Sequence, residues 1–466
     1  MIKTLQEIAD MAEARLVSGG RADAASLTIT SVSTDTRTLA PDSLFVPLAG
    51  EKFDGHDYLA QAVRSGAAAS FWREGRDIPA DAPPLLVTAN PLAALQRLAR
   101  AYRRELGIKV VGITGSNGKT TTKDLTAAAL GAACRVHKTP GNFNNHIGLP
   151  LTLLQIEEGT EVAVIEMGMS GRGEIALLTG IACPDIAVIT NIGESHLLQL
   201  GSREEIARAK TEILSGLAPG GLFIYNGDEP LIERVLPEMP RPEGMRTLRF
   251  GAGRGNDLFA AEIAADAGGS SFRTNEPGSP EFRVPLIGRH NVINALAAIA
   301  AVRSLGVPEE SIRAGLASAA ITGMRIERRV APSGAIILND AYNASPTSMK
   351  AGLALFGDSS RQSAGRRIAV LGDMLELGER EAEFHAEVGL AAARAGADLL
   401  YAYGPLSASL AAAAEELLPA GSVRYYTDKA KLIADLRAEV RSGDVVLVKA
   451  SHGMQLEEAA EALLQA

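Results

Sequence analysis

The amino-acid sequence predicts an α/β protein divided into three domains. Short apolar strands alternate with helical stretches along nearly the whole chain, the pattern of mainly parallel sheets covered by helices. The chain has 466 residues, more than one core accommodates, and at roughly 150 residues per domain it divides into about three.

In chain order, MIKTLQEIADMAEARL reads as a short amphipathic helix and lacks the basic-then-apolar order of a secretion signal. The first domain, a small α/β unit over 1–84, ends where Asp81, Pro83 and Pro84 break the pattern. The second, over 85–323, opens with a helix Leu92–Leu106 and a strand Ile108–Thr114. Further strands are expected at Val162–Ile165, Ile186–Thr190 and Leu222–Tyr225, giving a central parallel sheet like that of phosphate-loop ATPases. Residues Gly251–Pro285 read as a small β-excursion, followed by a helix Asn291–Leu305 and a turn at Ile321–Arg325. The third domain, over 324–466, repeats strand then helix at Ile336–Leu338, Ile368–Leu371, Leu399–Tyr403, Val423–Tyr426 and Val445–Lys449, which predicts a doubly wound, Rossmann-like sheet.

Composition narrows the function. Hydrophobic residues make up 46% and charged residues 22%, an ordinary soluble balance. A net charge of −9 disfavours a nucleic-acid partner. Cys134 and Cys183 are the only cysteines and lack ligand-like spacing, which suits a reducing cytoplasm and argues against structural zinc. No apolar run approaches the ~20 residues that cross a bilayer, so no membrane insertion and a cytoplasmic location are expected.

The segment I-K-V-V-G-I-T-G-S-N-G-K-T-T-T-K at 108–123 is a buried strand, a glycine-bearing turn and a helix start. Glycines let the backbone wrap an anion, the first helical N–H groups point at it, and the helix dipole adds attraction. Lys119 supplies charge to the outer phosphates and the Thr120 hydroxyl is placed for magnesium. The strict pattern has glycine where Ile113 stands, so this is a variant phosphate loop. The loop alone does not name a reaction.

Ligands of open α/β sheets bind beyond the carboxyl ends of the strands. Glu166 ends one strand and is either a magnesium ligand beside Thr120 or a surface glutamate. His196 follows the next strand, as a metal or phosphate contact or as a solvent-facing loop residue. Ser202 and Glu205 form a capping box that starts a helix near Arg203. On it Ile206, Lys210 and Ile213 share one apolar stripe, so Lys210 is either buried with altered protonation or snorkels to the surface.

These residues, with G-N-F-N-N-H-I-G-L-P at 141–150, I-E-M-G at 165–168, G-R-H-N-V-I-N-A at 288–295, G-M-R-I-E at 323–327 and N-D-A-Y-N-A-S-P at 339–346, resemble the Mur ligases, the ATP-dependent amide-forming enzymes of peptidoglycan assembly. The resemblance spans essentially the whole chain. T-P-G-N-F-N-N-H-I-G-L-P-L-T-L-L at 139–154, V-L-G-D-M-L-E-L-G-E at 370–379, and T-D-T-R at 34–37 with L-F-V-P-L-A-G at 44–50 are most similar to the branch that adds D-alanyl-D-alanine to UDP-N-acetylmuramoyl-tripeptide. The D-N-P-R string of the diaminopimelate-adding branch is missing. V-K-A-S-H-G-M at 448–454 stands where the family often has Gly-Ser-Arg, which leaves the roles of Ala450, Ser451 and His452 open.

The resemblance implies ATP and two Mg²⁺ ions, a monomer, and chemistry through an acyl phosphate, in a pathway that feeds wall growth and cell division. It implies ATP contacts from Gly115, Ser116, Asn117, Gly118, Lys119, Thr120, Thr121, Asn291, Asn294, Arg325 and Asp340. Thr120 and Glu166 would hold one magnesium; His196 and a CO₂-carbamylated Lys210 would serve the second, with Lys119, His196 and Lys210 as the catalytic set. Ser33, Asp35, Thr36 and Arg37 would contact the uridine nucleotide, or form only a surface turn. Asn142, Asn144, Asn145 and Asn343 would line the peptide, a polar turn being the alternative for the first three. Competing readings are a sister ligase, a transport-driving ATPase and a non-catalytic nucleotide binder. The L-G-D-M turn lacks G-x-G-x-x-G, which argues against hydride transfer.

Overall fold

A computed structural model describes residues 1–50, 53–266, 268–322, 327–360 and 365–465. The N-terminal helix runs over Leu5–Ala12, shorter than the amphipathic pattern predicts. Thr4 and Glu7 close a capping box at its start, and Glu13, in the left-handed region at φ 52°, ends it. The chain then turns into the strand Arg15–Val17, which pairs antiparallel with Leu85–Thr88.

Leu85–Thr88 is an interior strand of the first sheet, whose order is Arg15–Val17, Leu85–Thr88, Ala67–Arg73, Ser43–Phe45 and Ser31–Ser33. A boundary at 84/85 would detach that strand from its own sheet, so we propose that the first domain ends after Thr88. The four strands from Ser31 onward are parallel, so their carboxyl ends share one edge.

The Asn90 side chain caps the helix Pro91–Leu106, accepting from the Leu92 and Ala93 amides. Its inward face, Leu95, Leu98 and Tyr102, belongs to an apolar cluster that runs from Leu5 and Phe71 through Ile165, Ile189 and Phe223. The first and second domains therefore share a continuous core.

Among the described residues the central sheet has nine strands. Its parallel middle is ordered Leu222–Asn226, Ile186–Ile189, Lys109–Thr114, Val162–Glu166 and Val136–Lys138. On the other side it continues through Arg246–Gly251, Leu258–Asp266, Gly269–Thr274 and Phe282–Val284. The expected β-excursion is thus the far wing of the same sheet, joined where Phe250 and Gly251 pair with Leu258 and Phe259. Helices Lys119–Gly131, Arg289–Ser304 and Glu309–Ala317 cover one face, burying Leu125, Leu296 and Leu316 against Val111, Val164 and Val188.

The third sheet is ordered Glu327–Val330, Ile336–Asn339, Val445–Lys449, Arg367–Gly372, Leu399–Tyr403 and Val423–Tyr426. All neighbours are parallel except the first pair. Each strand expected here is present to within a residue. The antiparallel Glu327–Val330 carries no core-facing alternation in sequence and was not expected. Among the described residues no helix is long and apolar enough to cross a membrane.

Candidate active site

Register places the chemistry. Glu166 lies opposite Ile113, and Thr114 opposite Ile189, so three neighbouring parallel strands end together. From that edge the chain makes its phosphate-loop turn into the helix Lys119–Gly131. Two glycines make the turn possible. Gly115 has φ 151° and a Cβ there would fall 1.8 Å from Thr190 Oγ1; Gly118 has φ 77° and a Cβ would fall 2.4 Å from Asn294 Oδ1. The Asn191 carbonyl and its side-chain oxygen accept from the Ser116 and Asn117 amides, at 3.1 and 2.8 Å, fixing the loop to the adjacent strand end.

Lys119 Nζ bends back to the Gly115 carbonyl at 2.8 Å and the Ser116 carbonyl at 3.3 Å. Thr120 Oγ1 donates to Glu166 Oε2 at 2.8 Å, and Asn144 Nδ2 donates to Glu166 Oε1 at 2.8 Å. Glu166 is 2% exposed, so it is not a surface glutamate. A hydroxyl and a carboxylate side by side are hard oxygen donors of the kind magnesium takes, with nucleotide phosphates and water completing its shell. Among the described residues no three His, Cys, Asp or Glu side chains gather as a metal cage. Among the described residues Ser116 Oγ and Asn117 Nδ2 are buried without a hydrogen-bond partner. Such orphans cost about 1–3 kcal/mol each, and an anion with several acceptor oxygens would satisfy them.

Lys210 is 2% exposed on the helix Arg203–Thr211, which settles the choice left by the sequence: it does not snorkel. Burial, with the Lys119 ammonium nearby, drives its amine well below the ordinary lysine value. Among the described residues no hydrogen-bond or carboxylate partner engages that amine. Only half of the expected capping box forms. Ser202 Oγ accepts from the Glu205 amide at 3.2 Å, but the Glu205 carboxylate turns to Arg172 and Arg208. His196 sits at φ 66° and its Nδ1 lies 2.8 Å from Glu376 Oε2 of the third domain. Burial and the Lys210 and Lys119 charges lower its pKa, against the pull of Glu376.

The third domain forms the opposite wall of a cleft of about 510 Å³, contributing Asp340, Tyr342, Asn343, Ser348 and Lys449. Ser345 Oγ donates to Asn117 Oδ1 at 3.4 Å, and Thr347 Oγ1 donates to Glu194 Oε2 at 2.8 Å. Lys449 pairs with Asp340 Oδ2 at 2.7 Å and donates to the Asn343 carbonyl at 2.9 Å.

The cleft therefore gathers Ser116, Asn117, Gly118, Lys119, Thr120, Thr121, Asn144, Asn145, Glu166, His196, Asn291, Asn294, Asp340 and Asn343. Gly115 and Lys210 are not among the residues that line it. Asn145 Oδ1 accepts from the Ile147 and Gly148 amides, so its oxygen serves the turn that leads into the helix Gly148–Leu154. Asn142 is exposed outside the cleft. Asn291 Nδ2 donates to the Ile287 carbonyl at 3.0 Å. Arg325 lies outside the described residues.

Ser33, Asp35, Thr36 and Arg37 are not part of this cleft. Ser33 ends the strand Ser31–Ser33 and the other three follow it, at the carboxyl edge of the first sheet. Arg37 forks onto Asp35, holding its carboxyl down to about 2, while Ser33 Oγ accepts from the Asp35 amide at 3.0 Å. Sequence reasoning missed Asn191, Glu194, Glu376 and Lys449. Lys449 ends a strand, the signal used for Glu166, and could have been found by it. Ser451, left open by the sequence, accepts from the Leu375 amide at 2.9 Å, and His452 is exposed with its ring 5.7 Å from that of Tyr342.

Comparison with known proteins converges on one family. Residues 28–112 match the model described as Mur ligase family, catalytic domain; 113–302 match the Mur ligase middle domain; 324–452 match the Mur ligase, glutamate ligase domain. The chain is 46% identical over 466 residues to the UDP-N-acetylmuramoyl-tripeptide--D-alanyl-D-alanine ligase of Bacillus subtilis (strain 168), covering 100% of this chain and 99% of the relative. It is 36% identical to the protein of that name from Escherichia coli (strain K12), covering 99% and 98%. A crystal structure of MurF from Acinetobacter baumannii superposes with a TM-score of 0.87 at 30% identity, covering 100% and 99%. A MurF ligase from Thermotoga maritima in complex with ADP gives 0.79 at 30% identity, covering 93% and 97%.

Proposed function

The chain belongs to the Mur ligase family, and from that premise we propose that it joins D-alanyl-D-alanine to UDP-N-acetylmuramoyl-tripeptide with ATP as the energy source. The full-length match to relatives of that name supports the substrates. The observation that carries the site is the Thr120–Glu166 pair at the mouth of a phosphate loop, facing Asp340 and Lys449 across one cleft.

In this reading an oxygen of the tripeptide's terminal carboxylate attacks the γ-phosphorus of ATP, releasing ADP and leaving an acyl phosphate. The amine of D-alanyl-D-alanine then attacks the acyl carbon, phosphate departs with the C–O bond, and the nitrogen loses a proton as the amide forms. Two anions meet in the first step, so positive charge must be held in place beforehand. Lys119, at the start of its helix, supplies it from the protein. Thr120 and Glu166 would hold one magnesium, which neutralises developing phosphate charge when bound. Asn291, Asn294 and Asp340 would place the nucleotide, and the 34–37 turn with Ser33 the uridine end.

Lys210 supports a modified residue. A buried amine without a counter-charge is neutral enough for its nitrogen to attack CO₂ and lose a proton, giving a carbamate anion that would serve a second magnesium together with His196. The unshifted alternative, an ammonium reaching solvent, conflicts with its burial. We propose a cytoplasmic monomer. Phosphate release with D-alanyl-D-alanine and UDP-N-acetylmuramoyl-tripeptides ending in diaminopimelate or lysine tests the assignment. Release with single amino acids but not the dipeptide would overturn it in favour of a sister ligase.

A further inference from the structure

Seven non-glycine residues among those described have positive φ, and two of them, His196 at 66° and Glu376 at 64°, face each other across a domain boundary. Such backbone persists where the surroundings over-determine it, and it concentrates at functional sites. The surroundings of Glu376 do so. Asp373 accepts from the Ser407 amide at 2.7 Å and the Leu406 amide at 3.2 Å. The Met374 amide donates to His385 Nε2 at 3.0 Å and the Leu375 amide to Ser451 Oγ at 2.9 Å. On the far side the Leu198 amide, in the short helix Leu197–Leu200, donates to the Glu376 carbonyl at 2.9 Å, pinning the two segments together through the main chain.

This leaves the Glu376 carboxylate free to do something other than hold the domains. It lies 2.8 Å from His196 Nδ1. An ionised carboxylate only accepts, so Nδ1 must carry the proton, and in the neutral ring the lone pair is then on Nε2. His196 is half-buried, at 26% exposure, but Glu376 opens to solvent at 45%, so the pair contributes little to stability.

We propose that Glu376 is a positioning residue: from the third domain it fixes the tautomer and ring orientation of His196, so that this imidazole is competent only when the domains are engaged. The inference rests on the reading that His196 serves the reaction. It also assigns Ser451, which anchors the Glu376 loop, a place in the same chain of contacts.

The test uses full-length protein with ¹⁵N-labelled histidine, Glu376→Ala and Glu376→Gln, and His196→Ala as a control. In wild-type protein, long-range ¹H–¹⁵N correlation should show His196 protonated at Nδ1. Glu376→Ala should move the proton to Nε2 and lower kcat by about 10–100-fold, the usual effect of removing such a partner, with KM for ATP and D-alanyl-D-alanine near wild type. Glu376→Gln should retain most of the rate, because its amide oxygen still accepts. If Glu376→Ala does not fold, Glu376→Asp, which is one methylene short, makes the same comparison. Loss of rate without the tautomer change, or the tautomer change without loss of rate, would overturn the proposal. Full activity of His196→Ala would instead remove the reading beneath it, so the two failures are distinguishable.

Discussion

The Thr120 hydroxyl donates to the Glu166 carboxylate across 2.8 Å, although the two residues are 46 positions apart. One comes from the first turn of the phosphate-loop helix and the other from the end of the neighbouring strand, so parallel pairing alone brings them together. Glu166→Gln keeps the shape and the Asn144 contact but removes the charge a cation needs. We expect an intact melting transition and turnover lower by roughly two powers of ten, the scale of losing one charge-stabilising group. Turnover that falls less than tenfold at low magnesium would remove Glu166 from the metal site.

Lys119→Ala should abolish ATP-dependent ligation without unfolding the protein. Its ammonium is held at the loop by two carbonyls rather than buried in the core, so its loss leaves no cavity. The catalytic penalty should be about 10²–10³ in kcat. Near-normal phosphate release by a folded Lys119→Ala protein would refute the phosphate-loop assignment.

Lys449 and Asp340 make a testable pair of a different kind. Lys449 is 3% exposed and Asp340 13%, with 2.7 Å between them. Lys449→Met leaves a nearly buried carboxylate uncompensated, which should cost about 3 kcal/mol, the low end for breaking such a pair. Asp340→Asn in the same protein should restore part of that loss of stability but not ATP binding. Thermal unfolding and nucleotide titration of the two singles and the double separate the effects. A double mutant no more stable than Lys449→Met would mean the pair is not coupled.

Much of this was legible because it depends on local pattern. The phosphate loop, the strand end at Glu166 and the lysine on the Ile206–Ile213 stripe are all set by periodicity and turn chemistry. What escaped depends on pairing between distant segments. Leu85–Thr88 follows a proline break and looks like a linker until its partners Arg15–Val17 and Ala67–Arg73 are known. Val136–Lys138 and Arg246–Gly251 are short or basic, and only the sheet makes them strands. Glu376 has no sequence signal for meeting His196, because the contact spans 180 positions and two domains.

The contacts between the second and third domains predict a further effect. Glu194 accepts from the Thr347 hydroxyl at 2.8 Å, at the start of the helix Pro346–Ser360, where a negative charge is favoured. Glu194→Ala should loosen this engagement and enlarge the radius of gyration of the ligand-free protein in small-angle scattering, with ATP analogue and UDP-tripeptide restoring the compact curve. Identical curves for both proteins without ligand would show that the contact does not hold the domains.

The last prediction concerns Lys210, whose burial makes it both a liability for the fold and a site for chemistry. An unfolded lysine keeps its proton up to a pH near ~10.4, whereas the folded, buried amine gives it up lower. Between those two values the unfolded state holds more protons, so stability rises with pH, by up to about 1.4 kcal/mol per unit. Below the lowered value both states are protonated, and the full penalty of burial remains. In protein stripped of CO₂, Lys210→Met should remove that slope and be as stable as wild type or more so near neutral pH, because an apolar side chain replaces an unpaired amine. Its turnover should nevertheless collapse, since methionine cannot become a carbamate. Bicarbonate added to stripped wild-type enzyme should restore rate, and acetate or formate should partly restore Lys210→Ala by occupying the space of the missing carboxylate. A Lys210→Met protein that turns over normally would show that the buried amine is only a packing residue. The same conclusion would follow if the stripped wild type were indifferent to bicarbonate and showed no added mass on Lys210 in native mass spectrometry.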